Sequence, residues 1–345
     1  MSRARVAING FGRIGRMVCR RLMQNPDLEL VAINASYDAK TLAHLLTYDT
    51  VHGRFQGRVE PDGDALLING QRVQLVAERD PAKLPWAQLG VQVVIEATGK
   101  FKERAKAALH LEAGAQKVII TTATKDADCT MVIGVNEADY RATEHHVVAA
   151  ASCTTNCLAP FAKVLHEAFE IKSGLMTTVH SYTNDQNILD NPHKDLRRAR
   201  GGGLAIIPTT TGAAKAVAQV IPSLAGKLNG FSLRVPTPDV SVVDLVAILG
   251  RPVTVGEVNG LLQAASEGRL AGIIGYSEEP LVSADFIGDD RSCIIDGAST
   301  MVGPENLVKV VAWYDNEWGY SCRVVDVTAV VGRALAGCAQ EDAAD

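Results

Sequence analysis

Cys153 occupies a position at which proteins activate a thiol. It follows Ser152 at the predicted start of a helix, in the run Ser152-Cys153-Thr154-Thr155-Asn156-Cys157. Unpaired N–H groups and the dipole at a helix N-terminus favour an anion, so we expect Cys153 to be partly thiolate, the nucleophilic form. Cys157, one helical turn further on, is expected to point into the core.

His180 is the candidate base for this thiol. It ends a strand-like run, Met176-Thr177-Thr178-Val179. An imidazole there could pair with the thiol as a general base and later act on the bound intermediate. Its position alone does not decide this, because a histidine is more often structural than catalytic.

A glycine-rich motif near the N-terminus predicts a dinucleotide site. Gly10-Phe11-Gly12-Arg13-Ile14-Gly15 fits G-x-G-x-x-G, between a strand-like run at 3–9 and apolar residues at helical spacing over 14–22. Gly10 allows the tight turn, Gly12 the approach of a pyrophosphate, and Gly15 close helix–strand packing. The alternative is a merely structural glycine turn.

The end of the second strand-like run, 28–34, bears on which dinucleotide is used. NAD enzymes usually place Asp or Glu there, on the ribose 2′-OH. Here the chain reads Asn34-Ala35-Ser36, with no carboxylate until Asp38. The missing acid removes a repulsion against a 2′-phosphate, to which Ser36 could donate a hydrogen bond. This favours NADP; the alternative is that Ala35 merely weakens NAD binding.

The elements that must position these residues fall into two patterns. Strand-like runs at 3–9, 28–34, 91–98, 117–124 and 145–151 alternate with helical segments such as 102–115, which predicts a mostly parallel, doubly wound α/β sheet of the Rossmann type. After Ala151, long runs at 175–182, 230–236 and 241–249 with few helices predict a second α+β domain built on a largely antiparallel sheet. We therefore expect a dinucleotide-binding domain at 1–151 and a catalytic, substrate-binding domain at 152–316. At 317–345 we expect a C-terminal helix that packs back on the dinucleotide domain, followed by an acidic tail.

Composition excludes several classes of protein. The 345 residues carry a net charge of −5, which argues against nucleic-acid and membrane-surface binding. No long uncharged apolar stretch or signal peptide is apparent, so no membrane span is expected. The seven cysteines show neither disulfide nor zinc spacing, which indicates a reducing cytoplasm and no metal site. The long polar segment 183–203 is typical of a functional loop.

Several motifs together resemble one family, the phosphorylating glyceraldehyde-3-phosphate dehydrogenases, over residues 5 to about 335. They are Ile8-Asn9-Gly10-Phe11-Gly12-Arg13-Ile14-Gly15, Ala151-Ser152-Cys153-Thr154-Thr155-Asn156, His180-Ser181-Tyr182-Thr183-Asn184-Asp185-Gln186, Pro208-Thr209-Thr210-Thr211-Gly212-Ala213-Ala214-Lys215, Arg234-Val235-Pro236-Thr237-Pro238 and Trp313-Tyr314-Asp315-Asn316-Glu317. The resemblance implies that Cys153 attacks the aldehyde of glyceraldehyde 3-phosphate while His180 takes the proton. Hydride then passes to the nicotinamide, and inorganic phosphate cleaves the thioester to 1,3-bisphosphoglycerate.

The resemblance also implies three groups of binding residues. The substrate phosphate is held by Thr183, Arg198 and Arg234, with Arg197 or Arg200 as loop supports or as alternatives to Arg198. The attacking phosphate meets Ser152, Thr154, Thr211 and Gly212. The dinucleotide meets the glycines with Arg13, Ile14, Ser36, Arg79, Thr121 and Asn316, the last at the nicotinamide carboxamide.

Departures from the family pattern refine these expectations. Ala35 replaces the usual Asp, as in the NADP-using, gluconeogenic bacterial branch, and the polar Asn191 before Pro192 also suits a 2′-phosphate. The run Gly201-Gly202-Gly203 is expected to loosen the loop that carries Arg198. Because this loop normally packs across a subunit interface, the resemblance implies a homotetramer. The alternatives are an NAD-using glycolytic enzyme, an erythrose-4-phosphate dehydrogenase, or a non-enzymatic role on a dehydrogenase scaffold.

Overall fold

The computed structural model describes residues 3–341, and side chains as far as residue 337. It divides into two units. The first comprises residues 3–131, 137–151 and 321–341, and the second comprises Val132–Asn136 and Ser152–Tyr320. The acidic tail expected at the C-terminus lies outside the described residues. No described helix has the length and apolar character needed to cross a membrane.

The first unit is built on a mainly parallel sheet. Its strands are β1 Ala4–Asn9, β2 Leu28–Asn34, β3 Val59–Asp62, β4 Ala65–Ile68, β5 Gln71–Val76, β6 Val93–Glu96, β7 Lys117–Ile120, β8 Cys129–Thr130 and β9 Val147–Ala149. These described strands form one sheet of nine in the order β3-β4-β5-β2-β1-β6-β7-β9-β8. Its α-helices are α1 Arg13–Leu22, α2 Ala39–Thr47, α3 Arg104–Ala107 and α4 Leu109–Glu112. The predicted doubly wound, Rossmann-type sheet is confirmed.

Two features of this unit differ from expectation. The antiparallel excursion β3-β4-β5 was not predicted, because its strands are short and their alternation is weak. The helical segment expected over 102–115 is present, but it forms two short helices that meet at a turn at Ala108. This turn leaves His110 fully buried, where its Nδ1 accepts a hydrogen bond from Trp86 Nε1 at 3.0 Å.

The second unit carries a mostly antiparallel sheet. Its strands are β10 Ile171–Ser181, β11 Ile207–Thr209, β12 Leu228–Val235, β13 Ser241–Leu249, β14 Ile274–Ser277, β15 Cys293–Asp296, β16 Met301–Val302 and β17 Leu307–Tyr314. The described order is β11-β12-β10-β13-β17-β15-β14, with β16 paired to β17; β10 and β12 run parallel. Its helices are α5 Cys153–Phe169, α6 Ala213–Val220 and α7 Val255–Glu267, and α8 Trp318–Glu341 begins here. The predicted largely antiparallel second sheet is confirmed.

Helix α5 positions the candidate thiol. It begins at Cys153, as predicted, and buries Leu158, Phe161, Leu165 and Phe169. These positions recur at helical spacing and fix the rotation of the helix. Between β10 and β11, residues 182–206 contain neither helix nor strand, so the predicted long loop is present.

Candidate active site

The glycine-rich turn of the first unit has the three properties that a dinucleotide site requires. Gly10 has φ +97°, and a Cβ there would lie 2.7 Å from the backbone nitrogen of Thr98. A Cβ on Gly15 would overlap the carbonyl oxygen of Gly10, so α1 can approach β1 only with glycine at this position. A Cβ on Gly12 would meet nothing within 4 Å, which leaves open space for a pyrophosphate.

Helix α1 can present its first N–H groups to an anion. It starts after Gly12, which has no side chain to cap it, and the first helical residues are Arg13 and Ile14. The Arg13 guanidinium is paired with Asp49, at 2.5 and 3.2 Å. Burial tends to raise the pKa of Asp49, but hydrogen bonds from the His52 N–H and Arg13 hold it at about 2. The charge of Arg13 is thus compensated by Asp49 within the first unit.

The end of β2 is fixed by side-chain amides. Asn34 Nδ2 donates to Asn9 Oδ1 at 2.6 Å, and Asn34 Oδ1 accepts from the Glu78 N–H at 3.0 Å. Ala35 is partly buried, Ser36 is exposed, and Asp38 accepts from the Thr41 N–H at 2.7 Å as the N-cap of α2. The first carboxylate after β2 is thus used as a helix cap.

Two other predicted dinucleotide residues lie at strand ends or loops of this unit. Thr121 directly follows β7, and its Oγ1 donates to the Glu96 carbonyl at 2.9 Å. Arg79 lies after β5 with its side chain exposed. Both positions are at the carboxyl ends of the sheet, the edge at which doubly wound sheets bind ligands.

In the second unit, the thiol and the imidazole are adjacent. Cys153 Sγ lies 3.5 Å from His180 Nε2. His180 Nδ1 lies 2.7 Å from the Ser181 carbonyl oxygen. The Ser181 carbonyl can only accept, whereas Arg234 Nη1, which lies 2.9 Å from the same Nδ1, can only donate, so these contacts suit either tautomer. With the proton on Nδ1, the lone pair of Nε2 faces the thiol. This is the tautomer that a general base needs.

The charges of this pair differ from expectation. Burial, followed by the nearby charge of Arg234, lowers the pKa of His180 to about 3. Burial also raises the pKa of the Cys153 thiol above its ordinary value, although Arg234 and hydrogen bonds from Thr154 oppose this. These pKa shifts contradict the expectation that Cys153 is partly thiolate. The helix terminus contributes less than desolvation costs, and both groups are neutral near pH 7.

Arg234 lies beside the pair as a buried cation. It is in register with His180 across β12 and β10, and its Nη1 donates to the Ser181 carbonyl at 2.9 Å. Its Nε is buried and has no hydrogen-bond partner among the described residues. An unpartnered, desolvated donor of this kind suits an anionic ligand.

The three arginines of the long loop are differently placed. Arg198 Nε donates to Thr209 Oγ1 at 2.7 Å, and its Nη1 is ion-paired with Asp185. Its charge acts on both His180 and Arg234, so it belongs to their surroundings. Arg200 is exposed and pairs with Asp190 at 2.7 Å, while Arg197 is exposed and reaches the Pro208 carbonyl at 3.5 Å.

The glycine run has a packing role that sequence did not indicate. A Cβ on Gly201 would lie 2.8 Å from the Ile188 carbonyl oxygen, and one on Gly202 would lie 3.1 Å from Gln186 Cβ. Both glycines are buried, whereas Gly203 is exposed. Two of the three therefore allow close packing within the loop rather than loosening it.

The remaining predicted phosphate ligands are at helix starts or beside the thiol. Ser152 Oγ accepts from the Thr155 N–H at 3.1 Å and caps α5. Gly212 is the N-cap of α6, and Thr211 Oγ1 accepts from the Ala213 N–H at 3.2 Å. Thr154 is buried, and its Oγ1 forms a hydrogen bond with Tyr314 Oη at 2.9 Å. Thr183 is partly buried at the start of the long loop.

Asn316 is oriented by two serines that sequence reasoning missed. Its Oδ1 accepts from Ser181 Oγ at 2.9 Å and from Ser241 Oγ at 2.6 Å. With its oxygen occupied, the amide presents its NH₂ group as donor, which suits the carbonyl of a carboxamide. Ser181 follows His180 in the motif that begins at His180, whereas the sequence around Ser241 predicts only the start of a strand.

The first unit has a Rossmann-type sheet with an open glycine turn, and the second unit holds a thiol–imidazole pair. Together these features are typical of a nicotinamide-dependent dehydrogenase. Family comparisons agree with this class. Residues 4–104 match the NAD binding domain of glyceraldehyde 3-phosphate dehydrogenase, and residues 152–316 match its C-terminal domain.

Curated relatives extend the match over almost the whole chain. The chain is 62% identical over 327 residues to glyceraldehyde-3-phosphate dehydrogenase of Geobacillus stearothermophilus, covering 95% of this chain and 98% of the relative. It is 60% identical over 329 residues to glyceraldehyde-3-phosphate dehydrogenase 1 of Bacillus subtilis, with the same coverage. It is 57% identical over 325 residues to enzyme 2 of that organism, covering 94% of this chain and 96% of the relative. The chain belongs to the glyceraldehyde-3-phosphate dehydrogenase family, and it is an NAD(P)-dependent phosphorylating dehydrogenase.

Proposed function

We propose that this enzyme oxidises glyceraldehyde 3-phosphate through a thioester on Cys153, that it prefers NADP, and that it works in the gluconeogenic direction. The observation that carries the catalytic part is the 3.5 Å approach of Cys153 Sγ to His180 Nε2. The division of the chain at 1–151, 152–316 and 317–345 and a cytoplasmic location are part of the same proposal.

Because Cys153 and His180 both start neutral, the thiol proton must be transferred as the sulfur attacks. Cys153 Sγ attacks the aldehyde carbon as His180 Nε2 takes the thiol proton. His180 then passes this proton to the former carbonyl oxygen, which gives a hemithioacetal and restores the neutral imidazole. His180 Nε2 next accepts the hemithioacetal hydroxyl proton, and a nicotinamide dinucleotide at the proposed site would supply the acceptor for the hydride that leaves the same carbon. The backbone N–H of Cys153 stabilises the developing oxyanion. Inorganic phosphate then attacks the thioester carbonyl, and the Cys153 thiolate leaves.

The cations beside the pair explain how an acidic protein can bind two phosphates. Arg234 and Arg198, with Thr183, are proposed to hold the substrate phosphate, and Arg234 Nε supplies a buried donor for it. Ser152, Thr154, Thr211 and Gly212 are proposed to receive the attacking phosphate. Two of these residues cap helices whose first N–H groups favour an anion.

The preference for NADP is supported by the end of β2. Ala35 presents no carboxylate, and Asp38 is engaged as the cap of α2. Ser36 is exposed one residue beyond Ala35, where its hydroxyl is available to a 2′-phosphate. Gly10, Gly12, Arg13, Ile14, Gly15, Arg79, Thr121 and Asn316 complete the proposed dinucleotide site.

Ala35→Asp is expected to shift the preference from NADP toward NAD. A carboxylate at this position accepts from the ribose 2′-OH and repels a 2′-phosphate. Like charges about 4 Å apart cost roughly 4 kcal/mol at an effective dielectric near 20, before screening. The ratio of kcat/KM values should therefore move at least about tenfold, which needs only about 1.4 kcal/mol. The measurement is kcat/KM for NAD and NADP with glyceraldehyde 3-phosphate and inorganic phosphate.

Ala35→Asn is the matched control, because it adds similar volume without charge. It should move the ratio much less than Ala35→Asp. A wild type that already favours NAD, or an Asp variant with an unchanged ratio, would refute the NADP proposal. The proposed role of Cys153 would survive either result.

We also propose that the enzyme is a homotetramer. Five large apolar side chains in the long loop are exposed by 66–88%: Ile188, Leu189, Leu196, Leu204 and Ile206. Such a concentration on one segment is typical of an interface. Light scattering at micromolar concentration should therefore give about four times the 36.7 kDa mass of the chain. A stable monomer would contradict the proposal.

A further inference from the structure

A continuous run of buried hydroxyl groups ends at the thiol. Tyr314 Oη lies 2.9 Å from Thr178 Oγ1 and 2.9 Å from Thr154 Oγ1. Thr154 Oγ1 is in turn 4.0 Å from Cys153 Sγ, within reach of a hydroxyl–sulfur hydrogen bond. The hydroxyl residues come from β10, β17 and α5, and each is at most 4% exposed. Each of these hydroxyl groups therefore donates its proton to another member of the run or to the sulfur.

The run has two possible directions. Each hydroxyl has one proton to donate, so Tyr314 can donate to only one of the two threonines and accepts from the other. In the first direction Thr178 donates to Tyr314, Tyr314 to Thr154, and Thr154 to the sulfur. In the reverse direction Thr154 donates to Tyr314, and its proton is turned away from the sulfur.

We propose that Tyr314 and Thr178 are positioning residues, which direct the Thr154 hydroxyl to Cys153 Sγ and so stabilise the thiolate that forms and leaves during turnover. A thiolate only accepts, and hydrogen bonds to a charged acceptor are the strong ones, so the anion selects the first direction. Donation along a chain also polarises each successive hydroxyl. This inference rests on the proposed nucleophilic role of Cys153.

The other groups that face Cys153 do not replace this run of hydroxyl groups. His180 is neutral, and Arg234 is the nearby cation. Burial and then the charge of Cys153 raise the pKa values of Tyr314 and Tyr320 well above the usual range, so Tyr314 stays protonated as a donor. Burial likewise raises the pKa of Cys157. The run of hydroxyl groups therefore stabilises the thiolate by a directed hydrogen bond, in addition to the positive charge that Arg234 supplies.

The test is the pH dependence of Cys153 alkylation by iodoacetamide, followed at the Cys153 peptide by mass spectrometry. Tyr314→Phe keeps the ring, which packs edge-on against His180 at a centroid distance of 6.0 Å. Its alkylation rate at neutral pH should fall about three- to tenfold, with the thiol pKa moved upward, because both hydrogen bonds of Tyr314 Oη are lost and the Thr154 hydroxyl is no longer directed to the sulfur. Thr178→Val removes the first donor at nearly constant volume and should move the profile in the same direction.

Ser232→Ala is the matched control. Ser232 lies opposite Thr178 in the register of β10 and β12, is buried, and has no hydrogen-bond partner among the described residues. Its loss should leave the alkylation profile unchanged. If Tyr314→Phe fails to fold, Thr178→Val decides the result alone.

Unchanged or faster alkylation in Thr178→Val and in folded Tyr314→Phe would overturn the inference, since faster alkylation is the result of the reverse direction. This outcome is separable from failure of the proposed function. Alkylation needs no substrate, whereas the catalytic role of Cys153 is tested by activity. A Cys153→Ser variant that remained active would refute that role whatever the alkylation profile shows.

Discussion

Cys153→Ser is expected to abolish dehydrogenase activity, to below about a thousandth of the wild-type rate, the usual scale of loss on removing a nucleophile. A serine hydroxyl is far less acidic than a thiol, and a neutral imidazole cannot ionise it as readily. Coenzyme binding should stay nearly intact, because the dinucleotide residues of the first unit are untouched. The measurements are kcat/KM for glyceraldehyde 3-phosphate and a fluorescence titration with the coenzyme.

Cys157→Ala is the matched control for this variant. Cys157 lies one turn along the same helix, fully buried, with its Sγ 3.9 Å from the Ala312 carbonyl. It should keep most of the activity, although some stability is lost with the buried side chain. More than about a thousandth of the wild-type rate in Cys153→Ser would exclude covalent catalysis at this residue.

His180→Asn is expected to slow acylation by roughly 10²- to 10⁴-fold, the range typical of general acid–base catalysis. Because the pKa of His180 is lowered to about 3, the imidazole of the wild type stays neutral and able to accept a proton at any pH above that value. Without it, the rate should depend on ionisation of the thiol alone. Below the thiol pKa, the variant's rate should then rise about tenfold per pH unit, since the thiolate fraction does so.

Rapid mixing distinguishes this from a structural effect. The pre-steady-state burst of reduced coenzyme should slow in His180→Asn, while its pH dependence becomes steeper than that of the wild type. Equal burst rates over the whole pH range would show that His180 is not the base.

Features set by local sequence could be predicted best. The position of β1, the start of α5 and the glycine turn depend on short-range periodicity and on steric demands at single positions. The predicted strand 3–9 begins one residue before the observed Ala4–Asn9, and the helix begins at Cys153 as expected. The break at Ala108 within the helical segment 102–115 could not be predicted, because the burial of His110 beside Trp86 is a tertiary contact. The β3-β4-β5 excursion was missed for lack of a strong alternation.

Charge states could not be predicted from position along the chain. A helix start indicated a thiolate at Cys153, but the pKa of a thiol also depends on desolvation, which only the folded surroundings reveal. The partners of Arg197, Arg198 and Arg200 likewise depend on the folded loop and could not be predicted from the sequence. Tyr314 and Thr154 bond across a separation of 160 residues, and no spacing rule joins such positions.

The most direct test of the proposed chemistry is a single turnover without inorganic phosphate. Enzyme mixed with glyceraldehyde 3-phosphate and excess coenzyme should release about one equivalent of reduced coenzyme per chain in a burst, and then nearly stop, as expected for a stable acyl-enzyme. Acid quenching and peptide mass spectrometry should find the phosphoglyceryl group on Cys153, and added phosphate should restore turnover. Full turnover without phosphate, or an acyl group on another residue, would contradict a thioester on Cys153.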